Sequence, residues 1–267
     1  MRPWILASVF GAVVLAQPQA AAPVPFEAAS IKVFKPGGPQ RFGMEFLPGG
    51  RFRAVAVPLF AVLATAYNIP WQSLENLRIK GLPDWMLTER YDIEAKAEKE
   101  SVPPGATAKA RNEKIRLMLQ SVLAERLKIK MRRQTTEMPV YALVVGTHGA
   151  HLEKAKIDER DCTESAPFGG TGCHQFQGGM GRGLRGTAVD MSDLALYVSN
   201  WSDRPVVDQT GLQGLFIVQT EGWTSSADDP SHHTLGEVLE ASGLRLISKK
   251  ALVEVLVIDH VERPSVN

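Results

Sequence analysis

Aromatic, basic and acidic side chains cluster at two places in the chain that correspond to each other by sequence. Guanidinium and carboxylate groups bind polar ligands through charge-assisted hydrogen bonds, and an adjacent aromatic ring adds contact area. The functional interpretation is a pair of related binding clefts between the modules. The sequence favours the structural interpretation, in which Arg and Asp hold turns while Trp85 covers the core. The six candidate binding residues are Trp85, Arg90, Tyr91, Asp92, Arg204 and Asp208.

Cys162 and Cys173 are the two cysteines of the chain, and both lie in a polar, Gly-rich segment. Two nearby thiols in one loop are expected to pair in an oxidising compartment, so we predict a disulfide between them. The alternative is a metal site that uses His151 and His174. The segment lacks the CxxC or HxxxH spacing of the usual zinc sites, so the sequence favours the disulfide and no metal.

Catalytic signatures are missing from the sequence, which contains no GxSxG, HExxH or Walker motif. Residues 181–186 match GxGxxG, but a dinucleotide fingerprint follows a strand and opens a helix, whereas this run enters a predicted strand. We therefore predict no catalytic residue and no cofactor. A non-enzymatic binding, sensing or protein-interaction module is favoured. The alternative is an extracytoplasmic hydrolase that acts on peptide or polysaccharide.

The first residues have the order of a secretory signal peptide. Arg2 supplies a positive charge, Ile5 to Ala16 is apolar, and small residues cluster at 20–22. The apolar run is too short to span a bilayer as a helix, and no later segment is apolar enough to do so. We expect residues 1–22 to be a signal peptide and the remaining chain to be periplasmic or secreted.

The charge balance limits the class of partner. Lys and Arg total 30 against 29 Asp and Glu, which gives a formal net charge of +1. A nucleic-acid-binding domain normally carries a strongly basic surface, so we expect no nucleic-acid partner. The expected partner is an extracytoplasmic protein, which could pair a strand with an open sheet edge, or a cell-envelope ligand.

The elements that must position these side chains occur twice in the sequence. Residues 51–68 align without a gap on residues 183–200, and each is a strand-like run that leads into an apolar helical stretch. Duplicated blocks of this kind indicate two similar modules that share or adjoin a core. Three further blocks follow in the same order: 91–98 with 215–222, 117–129 with 235–247, and 140–145 with 254–259.

The predicted fold class is α+β, with two tandem repeats of strand–helix–strand–helix–strand–strand. Mixed or antiparallel sheets are expected, with helices packed on one face. In the second repeat we expect Thr234 to cap the last helix and Gly243 to end it in left-handed backbone geometry. The predicted segments are a signal peptide (1–22), a first repeat with an N-terminal strand (23–146), a Gly-rich linker with the cysteine pair (147–182) and a second repeat (183–267).

Several segments resemble a family of exported bacterial proteins of unknown function, which is named after the Solibacter lineage and expanded in soil Acidobacteria. The resemblance implies no established catalytic residues. Related domains accompany antirepressor-type membrane metallopeptidases, which implies an extracytoplasmic sensing or interaction role. Arg132 and Ile217 stand where the family commonly has a histidine and an acidic residue, so acid–base chemistry is not expected at these positions. The matching segments are FEAASIKVFKPG (26–37), GLPDWMLTERYDIEAKAE (81–98), the block 115–145, RPVVDQTGLQG (204–214) and VEVLVIDHVERPS (253–265).

Overall fold

The part of the chain that the structure describes begins after the predicted signal peptide. The computed structural model describes residues 25–37, 42–74, 77–99, 101–103, 105–163, 172–224 and 233–264. The predicted signal peptide and part of the predicted Gly-rich linker lie outside these ranges. Within them, no helix is long and apolar enough to cross a membrane.

Twelve strands and five α-helices form the described part of the chain. The strands are β1 (Ala28–Val33), β2 (Gly43–Leu47), β3 (Arg51–Pro58), β4 (Ile79–Lys80), β5 (Arg90–Lys96), β6 (Lys130–Val145), β7 (Glu153–Lys154), β8 (Gln177–Gly179), β9 (Gly183–Val189), β10 (Val206–Asp208), β11 (Phe216–Gln219) and β12 (Leu244–His260). The helices are α1 (Leu59–Ala66), α2 (Asp84–Thr88), α3 (Ala108–Arg126), α4 (Met191–Ser199) and α5 (Leu235–Glu240).

Two four-stranded antiparallel sheets share one pattern of connections. The first has the order β1–β5–β3–β2, and another, the third sheet, has the order β7–β11–β9–β8. In each, a hairpin brings the chain into a strand that leads directly into a helix, β3 into α1 and β9 into α4. The α+β class predicted from the sequence is confirmed by this architecture, whereas an origin by duplication stays a prediction.

The central sheet, with the order β10–β6–β12–β4, is built from both halves of the chain. Its middle is a long antiparallel ribbon of β6 and β12, which runs from Val145 opposite Leu244 to Lys130 opposite His260. At each end a short strand adds in parallel to the ribbon strand of the other half, β4 to β12 and β10 to β6. The two halves therefore complete one sheet together.

The continuous strand β6 corrects one detail of the predicted repeat. Each predicted repeat ends in two separate strands, but the chain stays extended from Lys130 to Val145 in the first half and from Leu244 to His260 in the second. Thr135 and Thr136 are β-branched and favour strand between the two predicted segments. Pro139 does not break it, because Tyr141 donates its N–H outward to Pro205 and Pro139, two residues earlier, faces the same edge. No ladder hydrogen bond is lost there.

Two hydrophobic cores flank the ribbon. The first packs α1 and α3 against the first sheet around Leu63 and Ile115, both fully buried. The second packs α4 and α5 against the third sheet around Trp223. The ribbon contributes to both, with Leu256 in the first core and Leu143 in the second. Because the cores share this ribbon, α3 of the first half is brought beside α4 of the second.

Candidate functional site

A polar cleft of about 240 Å³ lies between α3 and α4, where the two halves of the chain meet. The α3 and α4 residues that line it mostly recur at helical spacing, so each helix presents one face to the cleft. The lining residues are Asn68, Lys109, Asn112, Glu113, Arg116, His174, Phe176, Ser192, Asp193, Leu196, Tyr197 and Asn200.

His174 lies in the wall of the cleft with each ring nitrogen against a carboxylate. Nδ1 is 2.7 Å from Asp193 Oδ2, and Nε2 is 2.9 Å from Glu159 Oε2. Burial of the ring by itself disfavours its charged form. The hydrogen bond and charge of Asp193, together with the charges of Glu159 and Asp190, outweigh burial and raise the pKa of His174. A ring that donates from both nitrogens is an imidazolium, which cannot accept a further proton.

The disulfide between Cys162 and Cys173 holds the two partners of this ion pair together. Glu159 lies in a short 3₁₀ turn that ends just before Cys162, and His174 follows Cys173 directly. His174 has a φ of 57°, a left-handed conformation that costs a residue with a side chain about 1–3 kcal/mol. Its N–H donates to Ala188 O at 2.8 Å. The predicted disulfide is confirmed, and it anchors the loop that carries His174.

Asp190 is the N-cap residue of α4 and also forms an ion pair with Lys109 of the first half. Its Oδ1 accepts the N–H of Asp193 at 2.8 Å, and Asp193 Oδ2 accepts the N–H of Asp190 at 3.0 Å, which forms a capping box. Lys109 Nζ lies 2.6 Å from Asp190 Oδ2. Burial disfavours the charged carboxylate, but the hydrogen bonds from Lys109 and the backbone keep the pKa of Asp190 below its usual value. This ion pair ties the first turn of α3 to that of α4.

Three side chains of the cleft region lie close enough together to bind a metal cation. His174, Asp190 and Asp193 offer ligand atoms that lie within 4.8 Å of one another. The Lys109 ammonium already neutralises Asp190, however, and the Asp193 oxygen nearest His174 is occupied by two N–H donors. His151, the second ligand of the predicted metal alternative, is exposed and lies outside this group. We therefore assign no metal to the cluster.

The α3 wall carries two buried polar atoms, Asn112 Oδ1 and Arg116 Nε, without a hydrogen-bond partner among the described residues. Asn112 is only 7% exposed. Burial lowers the pKa of Arg116, although the nearby carboxylates oppose this. The Glu113 carboxylate is 3.7 Å from Arg116 Nη1. A buried polar group without a partner costs about 1–3 kcal/mol, so this wall of the cleft is left with unsatisfied hydrogen-bonding capacity.

A larger concavity of about 560 Å³ lies on the open face of the first sheet. Its charged lining includes Arg51, Arg53, Glu94 and Lys96. None of the buried unpartnered atoms found in the described ranges belongs to its lining. The smaller cleft between α3 and α4 is therefore the better candidate, because two of its lining residues carry buried polar atoms without a hydrogen-bond partner in the described part of the chain.

Four of the predicted binding residues lie at the start of β5 or just before it, and none of the four lines either cavity. Asp92 Oδ1 accepts the N–H of Ala56 at 2.9 Å, where Ala56 has a φ of 53° in the bulge of β3. Burial and the 2.7 Å hydrogen bond from Tyr91 to Glu89 raise the pKa of Tyr91 to about 12. Arg90 and Trp85 make cation–π contacts, Arg90 with Phe42 and Trp85 with Arg263.

The remaining two predicted residues also lie outside both cavities. Arg204 precedes β10, and Asp208 is its last residue. Arg204 Nη1 donates to Ser248 at 2.9 Å, across to β12. Asp208 Oδ1 accepts the N–H of Thr210 at 2.9 Å and so holds a turn. The structure thus gives each of the six residues local contacts, and a ligand-binding role for them stays a prediction.

Sequence reasoning missed the cleft residues on α3. Lys109, Asn112 and Arg116 recur at helical spacing, so a polar stripe could have been read from the sequence. Such a stripe normally indicates a solvated face. Here the stripe faces α4 across the cleft and Asn112 within it is buried, and no local pattern encodes that arrangement.

Fold and site together define an α+β protein with a shared central sheet and a polar cleft where its halves meet. The chain belongs to the family described as protein of unknown function DUF3738, whose model matches residues 61–261. That match runs from α1 to the end of β12 and so includes the whole cleft. No curated protein and no solved structure matches the chain.

Proposed function

We propose that this protein is an exported, non-catalytic binding protein that holds a small polar ligand in the cleft between α3 and α4. The observation that carries the proposal is the pair of buried atoms without partners on the α3 wall, Asn112 Oδ1 and Arg116 Nε. Buried polar groups are nearly always hydrogen-bonded in folded proteins. Two of the five buried atoms without a partner found in the described ranges belong to residues that line this cleft, where a bound partner would satisfy them.

The chemistry of the cleft favours binding over catalysis. Activation of a hydroxyl nucleophile needs an adjacent group that can accept its proton. Both ring nitrogens of His174 are already engaged with carboxylates, Asp193 and Glu159, so neither is free to accept a proton from a hydroxyl. The Ser192 hydroxyl bonds to Asp190 instead. The alternative function, a hydrolase for peptide or polysaccharide, would require the contact between His174 and Glu159 to open.

Export is the second part of the proposal. It is supported by the signal-peptide pattern of residues 1–22 and by the disulfide between Cys162 and Cys173, since disulfides persist in oxidising compartments. The ligand would then come from the periplasm, the cell envelope or the surroundings. The narrower assignment to the Solibacter-type exported proteins belongs to this proposal as well.

Replacing Asn112 by Leu tests the proposal through stability. Leu has nearly the same shape without polar atoms, so Asn112→Leu should leave the free energy of unfolding unchanged or raise it by about 1 kcal/mol. The control is Asn200→Leu, because Asn200 Oδ1 accepts from Trp71 and Gln72. That variant should lose about 1–3 kcal/mol. Chemical denaturation of the full chain measures both, and an equal loss in the two variants would contradict a functional role for Asn112.

A further inference from the structure

We propose that the ligand of the cleft is a free α-amino acid bound as its zwitterion, an inference that rests on the function proposed above. Its two recognition groups are Asn112 and Arg116, which both line the cleft on α3. At a separation of four residues their Cβ atoms lie about 5–6 Å apart on one helical face. A single small molecule with two different polar ends can reach both.

The carboxylate of the ligand is assigned to Arg116. Its Nε is buried without a partner among the described residues, and its guanidinium lies over the Phe46 ring at 5.5 Å. The carboxylate of Glu113 is 3.7 Å from Arg116 Nη1, on a side chain that is 61% exposed. It therefore neutralises the charge of Arg116 only weakly. A planar guanidinium binds carboxylates through two parallel hydrogen bonds. A ligand carboxylate would therefore complete the environment of Arg116.

The ammonium group of the ligand is assigned to Asn112. Its buried Oδ1 is an acceptor and requires a donor. The cations Lys109 and His174 are each already bonded to a carboxylate, Lys109 to Asp190 and His174 to Asp193 as well as Glu159. Neither cation is therefore free to donate to Asn112, which leaves its oxygen to a donor from the ligand.

The size and the remaining wall of the cleft suit a single amino acid. Its volume of about 240 Å³ corresponds to roughly eight water molecules at about 30 Å³ each. The apolar part of the wall is formed by Leu196 and by the rings of Phe176 and Tyr197, whose centroids are 4.9 Å apart. This wall favours an apolar side chain of medium size over a charged one.

Two other classes of small polar ligand fit less well. A second carboxylate would face the acceptor oxygen of Asn112, which repels it. A neutral sugar would satisfy Asn112 but would leave the partly desolvated guanidinium of Arg116 with Glu113, 3.7 Å away and 61% exposed, as its nearest counter-charge. A zwitterion satisfies both groups with one molecule.

Isothermal titration calorimetry on the full chain tests the assignment. The probes are L-leucine, L-methionine and L-phenylalanine, each compared with its N-acetyl derivative and its methyl ester. We expect at least one free amino acid to bind, and both derivatives to bind at least about tenfold more weakly, since each loses one charge-assisted hydrogen-bonding group.

Variants assign each end of the ligand. Arg116→Met should weaken binding of the amino acid about tenfold or more. It should leave the already weak binding of the methyl ester unchanged. Asn112→Leu should weaken the amino acid similarly and leave the N-acetyl derivative unchanged. Lys114→Met is the matched control, because Lys114 lies on α3 outside the cleft lining and its loss should not change affinity.

The outcomes separate this inference from the function on which it rests. The amino-acid assignment is wrong if none of the three amino acids binds, or if the derivatives bind as tightly as the parent compounds. The proposed function would survive that result if citrate or glucose binds and loses affinity in Arg116→Met. It fails as well if none of these probes binds and Asn112→Leu destabilises the fold as much as Asn200→Leu.

Discussion

His174 connects three features of the site within one residue. Its backbone is held in a left-handed conformation next to a disulfide, and its ring joins the loop to α4 through Asp193. The side chain is only 5% exposed and that of Asp193 is 20% exposed, so this ion pair is little screened by solvent, whereas Glu159 is 46% exposed and its pair is screened more. Its charge therefore bears on the stability of the whole loop.

The pH dependence of stability should report the charge on His174. Its pKa in the folded protein is raised above the unfolded value of about 6.5. The stabilisation from its ion pairs is therefore fully present below about pH 6.5 and is lost as the pH rises through the folded pKa. In His174→Gln this part of the pH dependence should disappear. Chemical denaturation across a pH series measures it, and identical slopes for the two proteins would refute the assigned charge.

At this scale the sequence supported the disulfide better than the cleft. Cys162 and Cys173 had one possible partner each, so their pairing needed no knowledge of the fold. Asn112 and Asp193 lie far apart in the sequence, and each has a common role on a helix surface. Both line one cleft only because α3 and α4 lie on either side of it, and the chemistry of single residues does not specify that arrangement.

The ends of the helices show what local sequence does specify. Thr234 caps α5 in a capping box with Glu237, and Gly243 follows that helix with a φ of 72°, as predicted. After α3, the corresponding left-handed position is occupied by Lys128, with a φ of 51°. A residue with a side chain is strained there, whereas Gly is not.

Exchanging these residue types should have opposite effects on stability. Lys128→Gly should raise the free energy of unfolding by about 0.5–1 kcal/mol, because relief of the left-handed strain exceeds the added chain entropy of Gly. The comparison is Gly243→Ala, whose new Cβ would collide with the carbonyl oxygen of Gly149 and should destabilise the protein. Urea denaturation measures both changes. A stability loss in Lys128→Gly would show that the Lys side chain matters more than its backbone.

Strand boundaries were less predictable than helix ends. The predicted repeat has two strands where β6 is one, and the outward position of Pro139 explains why the chain does not break there. The segments 140–145 and 254–259 both lie in the ribbon, in β6 and β12, and their predicted match as repeats stays a prediction.

For the whole molecule, the shared central sheet is the feature that the sequence left open. The repeated blocks predicted two similar modules, and the first and third sheets have the same strand connections. Whether the modules stand side by side or exchange strands depends on which edges pair, and hydrophobic periodicity does not encode that choice. Here β4 pairs with β12 and β10 with β6, so each half relies on the other.

A chain limited to residues 23–146 should therefore fail to fold alone. It would contain β6 without its long partner β12, and β4 without any partner strand. Co-expression with residues 147–267 should restore a folded complex. Near-ultraviolet circular dichroism and size-exclusion chromatography distinguish these results, with the full chain as the control. A cooperative unfolding transition in the isolated 23–146 fragment would disprove the dependence.

The ribbon also sets an order of events during folding. β6 becomes available for pairing before β12, because a chain is delivered from its N-terminus, and their paired residues range from Val145 with Leu244 to Lys130 with His260. Pairing between such distant segments is slow, and an unpaired strand edge invites association with other chains. The charges of Lys130, Arg132 and Arg133 discourage wrong partners during that interval. We expect the first half, before β12 pairs with it, to be the stage at which this protein most needs a chaperone.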